Sequence, residues 1–157
     1  QNILISFLHS TIIKQMVLSN NGQSIMSNHQ NNIPTGPVNI QSDIGTYLAR
    51  CNDCGDAAYP DSVAVGEANP ANLGPFGSLK GGDKVAFKAD SGNYLSRCDS
   101  CWSDAAYPDS VFVHVPDSTG PWAQWTPEDL GNGKWAFKAD SGKYLARCDG
   151  CVADGAK

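Results

Sequence analysis

Long apolar runs and clustered positive charges are both missing from this chain. No stretch approaches the roughly 18 apolar residues that a membrane-spanning helix needs. Ile3-Leu-Ile-Ser-Phe-Leu8 is too short for a signal-peptide core and lacks a basic flank, so membrane insertion is not expected. Lys and Arg number 11 against 16 Asp and Glu, a net charge of −5, and they form no basic face. A phosphate backbone or an anionic membrane needs such a face, so nucleic acid is not an expected partner. The three histidines, His9, His29 and His114, are scattered, and no Ser/His/Asp or Cys/His set gathers around them. No Gly-rich phosphate loop precedes a helix. The chain is therefore expected to be non-enzymatic, with neither a cofactor nor a metal. His114, between Val113 and Val115 on a strand pattern, is expected to face solvent. Asn-x-Ser/Thr is absent as well, so N-glycosylation is not expected.

What the chain does have is one phrase written three times. It reads Gly45-Thr-Tyr-Leu-Ala-Arg-Cys-Asn-Asp-Cys54, then Gly92-Asn-Tyr-Leu-Ser-Arg-Cys-Asp-Ser-Cys101, then Gly142-Lys-Tyr-Leu-Ala-Arg-Cys-Asp-Gly-Cys151. Tyr47 and Tyr94 are 47 residues apart, and Tyr94 and Tyr144 are 50 apart. A fixed period of this length marks a repeat architecture.

Each copy alternates apolar and polar residues. Val85, Phe87 and Ala89 oppose Lys84, Ala86 and Lys88, and Trp135, Phe137 and Ala139 oppose Lys134 and Lys138. Val38 and Ile40 are the weaker first version. Period two is the mark of a half-buried strand. Ala-Asp-Ser-Gly follows at 89–92 and 139–142, and Gln41-Ser-Asp-Ile-Gly45 is its degenerate counterpart. Gly there suits a tight hairpin. Val63-Ala-Val65 and Val111-Phe-Val-His-Val115 read as the next strands. Gly74-Pro-Phe76 aligns with Gly120-Pro-Trp122 and opens a fourth strand that includes Trp125. Four short strands in each of three copies predict an all-β fold, a β-trefoil of three repeats of about 50 residues.

The third copy is truncated. Aligned on the cysteines, Lys157 falls where Tyr107 stands in the second copy, and two strands are missing. The expected organisation is an N-terminal completing segment, residues 1–34, and a trefoil domain, residues 35–157. Within the segment, Asn20-Asn-Gly22 signals a hairpin, while Leu4, Leu8, Ile12 and Met16, spaced by four, leave a helix open. It can close its own open lobe or enter a neighbour's.

The cysteines admit several readings. Local disulfides Cys51–Cys54, Cys98–Cys101 and Cys148–Cys151 fit the even count and the repeated placement. Each closes a short loop and contributes about 2 kcal/mol in the chain-entropy model, and they imply an oxidising, extracellular compartment. Zinc takes two such knuckles, which leaves the third over. Thioredoxin-like chemistry wants a following helix, and Gly55-Asp-Ala-Ala-Tyr-Pro60 cannot start a long one. Free thiols are the remaining alternative.

Phe87-Lys-Ala-Asp-Ser-Gly-Asn-Tyr-Leu-Ser-Arg97 and Phe137-Lys-Ala-Asp-Ser-Gly-Lys-Tyr-Leu-Ala-Arg147 resemble the recurring phrase of the fascin-like β-trefoil family. The resemblance covers roughly residues 36–157 and implies the fold more than the function. Family members that bundle actin generally use several trefoils and basic patches, which makes an actin-binding module the weakest of three expectations. The Arg-Cys-x-x-Cys knuckles look more like those of a secreted trefoil. Ricin-type lectins carry Gln-x-Trp, and Trp122-Ala-Gln-Trp125 does not match it.

The leading expectation is a secreted, lectin-like protein that binds glycans at one to three related sites. The candidate ligand residues recur on turns: Asp53, Asp99 and Asp149; Tyr59 and Tyr107; Asp61 and Asp109; and, beside them, Trp102. Aromatic faces with nearby carboxylates are what sugars require, although Tyr-Pro-Asp-Ser is also good turn chemistry in its own right. Arg50, Arg97 and Arg147 are expected to cover the knuckles or pair with neighbouring aspartates. The second expectation is a homo-oligomer or filament built by exchange of the N-terminal strand.

Overall fold

The structure, a computed structural model, describes residues 5–8, 16–20, 23–24, 33–51, 61–67, 76–101 and 109–147. These residues are all-β, and every strand pairing is antiparallel. In chain order the strands are β1 (Ile5–Leu8), β2 (Met16–Asn20), β3 (Gln23–Ser24), β4 (Gly36–Gln41), β5 (Tyr47–Cys51), β6 (Ser62–Glu67) and β7 (Phe76–Gly81). They continue as β8 (Lys84–Lys88), β9 (Tyr94–Asp99), β10 (Asp109–Val115), β11 (Thr126–Gly131), β12 (Lys134–Lys138) and β13 (Tyr144–Arg147). A 3-10 turn, Pro121–Ala123, precedes β11.

The pairing pattern recurs in threes. Gln41 faces Tyr47, Lys88 faces Tyr94 and Lys138 faces Tyr144 across the short hairpins β4–β5, β8–β9 and β12–β13. The turns between them share one hydrogen-bond pattern. The Gly45, Gly92 and Gly142 amides donate to the carbonyls of Ser42, Ala89 and Ala139 at 3.1, 3.0 and 3.0 Å. All three glycines sit at φ between 80° and 89°, where a side chain would be strained. The degenerate first turn thus has the geometry of its two clearer counterparts.

The N-terminal strands enter this pattern at defined registers. Arg50 faces Val63, Arg97 faces Val111 and Arg147 faces Ile5. Likewise Val38 faces Phe76, Val85 faces Trp125 and Trp135 faces Met16. So β1 and β2 make with β13 and β12 the pairings that β6 and β7 make with β5 and β4. The strand alternative holds at 5–8 and 16–20, where spacing by four had left a helix open, and β2 pairs with β3 through Asn20 and Gln23. A path from β10 through β6, β5, β4, β7 and β8 to β9 returns to β10, closing a ring of strands.

The inward residues of these strands form the core. Val38, Ile40, Val85, Phe87, Trp135 and Phe137 are buried together with Leu48, Leu95 and Leu145. Phe87 and Phe137 meet edge to face, their ring centroids 5.1 Å apart, a favoured aromatic geometry. The fully buried Trp125 donates its indole N–H to the Leu95 carbonyl at 3.1 Å, so its polar atom is satisfied.

Two local readings need correction. Phe76 corresponds in register to Trp125 and not to Trp122, since Gly77 faces Lys88 and Thr126 faces Lys138. The 3-10 turn after Gly120 inserts residues that the shared Gly-Pro hides, and it leaves Trp122 exposed. His114 does not simply face solvent. It is half-buried, with Nδ1 2.9 Å from Ser96 Oγ, because β10 is covered on both faces and its neighbour Phe112 is buried too.

Candidate functional site

The three repeated arginines form a belt. Arg50 Nε and Nη2 donate to Asp90 at 2.7 and 3.0 Å, and Nη1 donates to Asp61 at 3.1 Å. Arg97 repeats this with Asp140 at 2.6 and 3.0 Å and with Asp109 at 3.0 Å. Arg147 grips Asp43 at 2.8 and 3.2 Å. Each guanidinium therefore reaches from one long strand pair to the turn of the next hairpin, and the last returns to the first. Bidentate Arg–carboxylate pairs are directional as well as strong. Hydrogen bonds from Arg50 and Arg97 hold the Asp90 and Asp140 carboxyls below the usual range, and the same contacts raise both guanidiniums.

Asp61 and Asp109, expected as ligand residues, sit in this belt. Asp109 is buried and also accepts from Lys143 Nζ at 2.6 Å. Asp99 is exposed at the end of β9 and accepts from Ser100 Oγ at 3.0 Å. Asp53, Tyr59, Trp102, Tyr107 and Asp149 lie outside the described residues, as do Cys54, Cys148 and Cys151. Cys98 is bonded to Cys101, and Cys51 is also in a disulfide. No described cysteine is free. Among the described residues, no three His, Cys, Asp or Glu side chains converge as a metal site requires.

Concave surface occurs elsewhere, on both sides of the β7–β8 hairpin. A cleft of about 430 Å³ opens between that hairpin and β11–β12. Lys80, Asp83, Lys84, Glu128 and Asp129 line it, with Trp135 and Val85 at its apolar wall. Some of its carboxylates are fixed in place. Glu128 accepts the Tyr144 hydroxyl at 2.9 Å to each oxygen, and Asp129 accepts the Gly131 amide at 2.7 Å.

No protein-family model matches this sequence, and no curated protein does either.

A smaller groove of about 110 Å³ lies against the loop before β11 and shares Lys80, Lys84 and Val85 with the cleft. The loop is tied to itself. Thr119 donates its amide to Asp117 at 2.9 Å, and Gln124 Nε2 donates to the Ser118 carbonyl at 2.9 Å. Trp122, 45% exposed, lies directly against Gly120, where a Cβ would come within 2.4 Å of the indole.

None of these cleft and groove residues is among the turn residues expected to bind ligand. Lys80-Gly-Gly-Asp-Lys84 was a visible charged hairpin signal, but nothing in the spacing says that β11–β12 would stand beside it.

Proposed function

We propose that this chain is a β-trefoil that binds carbohydrate without catalysing a reaction, and that it works outside the cell. Three features support the fold reading: the three-fold recurrence of strand register, the matching hairpin turns and the cyclic arginine belt. On that reading β1 and β2 hold, beside β13 and β12, the places that β6 and β7 hold beside β5 and β4. The oxidised Cys51, Cys98 and Cys101 favour an oxidising compartment.

The cleft between the β7–β8 and β11–β12 hairpins carries the functional reading. Its size falls within the usual range for small-ligand sites. Its floor is closed by the nearly buried Trp135 and Val85, and several hydrogen-bonding side chains ring it, as hydroxyl-rich ligands need. A glycan array probed with the full chain tests the reading, followed by titration of any sugar retained. Asp83→Asn is expected to weaken that sugar about tenfold, a loss of about 1.4 kcal/mol, with an unchanged melting temperature. Failure of the unaltered chain to retain any glycan would sink the proposal.

Assembly by strand exchange is the second reading. It is favoured by the way β1 and β2 join β13 and β12 through pairing between sequence-distant strands. A neighbour's β1 and β2 would find the same registers, and head-to-tail exchange gives open filaments. Native mass spectrometry over a dilution series decides: a ladder of oligomers supports exchange, and a monomer at every concentration ends it. The fascin-like actin reading has less support, since the net charge is −5 and all three arginines sit in aspartate pairs.

A further inference from the structure

We propose that the Cys98–Cys101 bridge is a thiol-exchange site, opened reversibly by an external dithiol while the strands around it stay in place. This goes beyond the carbohydrate reading and does not depend on it. In the exchange, a thiolate of the partner attacks Cys101 Sγ and the bond between the two sulfurs breaks. The electron pair leaves on Cys98 Sγ, which takes up a proton. The partner's second thiol then attacks the mixed disulfide and frees Cys101. The protein gains two thiols, and the dithiol becomes its own disulfide.

The two cysteines are placed for these unequal parts. Cys98 is buried within β9, whereas Cys101, just beyond the end of that strand, is partly exposed. Cys101 is therefore the sulfur that an incoming thiolate reaches, and Cys98 is the leaving group. The strands do not need the bridge to stay together. Arg97, Cys98 and Asp99 face Val111, Ser110 and Asp109 in a ladder that runs on to Tyr94 and Val115. Cysteines three residues apart close a very short loop, and a short loop constrains the unfolded chain little. Opening it therefore leaves β9 and β10 paired.

Two further features favour the open form. Ser100, between the cysteines, sits at φ 58°, a left-handed conformation that is unfavourable for a residue with a side chain. The third copy has Gly150 at the corresponding place, the residue type that such a conformation favours. Opening the ring releases Ser100 from that constraint, and strained bridges are the more easily reduced ones. The second feature is the Ser110 hydroxyl, which is fully buried and has no hydrogen-bond partner. Ser110 lies directly across from Cys98, and side chains of such a cross-strand pair project from the same face. A thiolate or thiol on Cys98 is a better acceptor for that hydroxyl than a bridged sulfur. A contact made in one state only shifts the balance towards that state.

The test equilibrates the full chain in buffers of graded ratio of reduced to oxidised dithiothreitol. Free thiols are then alkylated, and Cys98 and Cys101 are read by peptide mass spectrometry, with circular dichroism of the strands on the same samples. The bridge is expected to open at a ratio that leaves the strand signal unchanged. Ser100→Gly removes the strain and Ser110→Ala removes the hydroxyl. Each is expected to raise the ratio needed for half-reduction about tenfold, with the strand signal of the oxidised protein intact. A brief exposure to glutathione, quenched with acid, should leave the mixed disulfide on Cys101. Opening of the bridge only as the strand signal is lost overturns the inference. So does a half-reduction ratio that either variant leaves unchanged, and so does a mixed disulfide found on Cys98.

Discussion

Asp90 and Asp140 occupy the same position in turns of identical sequence, Ala-Asp-Ser-Gly, and each is gripped bidentately by an arginine. Their surroundings differ. The Asp90 side chain is 53% exposed, and that of Asp140 is 19% exposed. Solvent reaches both residues but screens the first pair more than the second, so equal geometry should not mean equal energy. Asp140→Ala is expected to destabilise the fold by about 1.5 kcal/mol, the low end of the cost of losing a charged hydrogen-bond partner, because the residue is exposed although its side chain is partly covered. Asp90→Ala is expected to cost less than about 1 kcal/mol, as exposed pairs do. The backbone effect of Ala in the turn is common to both variants and cancels in the comparison. Urea denaturation of the two proteins checks the order, and equal losses would mean that the turn itself, not the arginine, sets the cost.

The elements were legible where sequence and packing agreed. Alternation around Val85 and Phe87 and around Trp135 and Phe137 announces strands, and those residues are buried as the alternation requires. Gly92 and Gly142 announce the hairpins. The weak first copy was readable only by analogy, yet Val38 and Ile40 are as buried as their stronger counterparts. Reading failed where a local insertion preserved a familiar dipeptide: Gly120-Pro121 invites alignment with Gly74-Pro75, while the 3-10 turn shifts the buried aromatic to Trp125. It failed again at His114, since burial of both faces of β10 depends on what the rest of the chain lays over it. The arginine belt was half legible. Pairing of Arg50, Arg97 and Arg147 with nearby aspartates follows from their charge, but partners 40, 43 and 104 residues away depend on the way the hairpins are arranged. The cleft was not legible, because it lies between two hairpins whose proximity no motif encodes.

At the level of the whole molecule, the belt links successive hairpins in a closed circuit, so protonating its carboxylates loosens several seams together. The folded-state values of Asp90 and Asp140 lie below the ordinary 3.8, chiefly through the arginine hydrogen bonds. The stability they contribute is therefore present above that value and is lost as pH falls through the depressed folded values. His114 acts earlier. Burial lowers its value from 6.5, so the fold keeps the ring neutral while the unfolded chain takes up a proton. Stability from this source begins to fall as pH drops below 6.5 and stops falling once the folded ring is protonated as well. The melting temperature is expected to hold level above that point, decline modestly just below it, and drop more steeply in the acid range below 3.8. His114→Gln should remove the first decline and leave the second. Asp90→Asn with Asp140→Asn should lower stability at neutral pH and flatten the acid drop, because the variant has less left to lose. Scanning calorimetry from neutral to strongly acid buffer distinguishes these curves. If the double variant's curve runs parallel to that of the unaltered protein, the belt is not what fails in acid, and other carboxylates govern the loss.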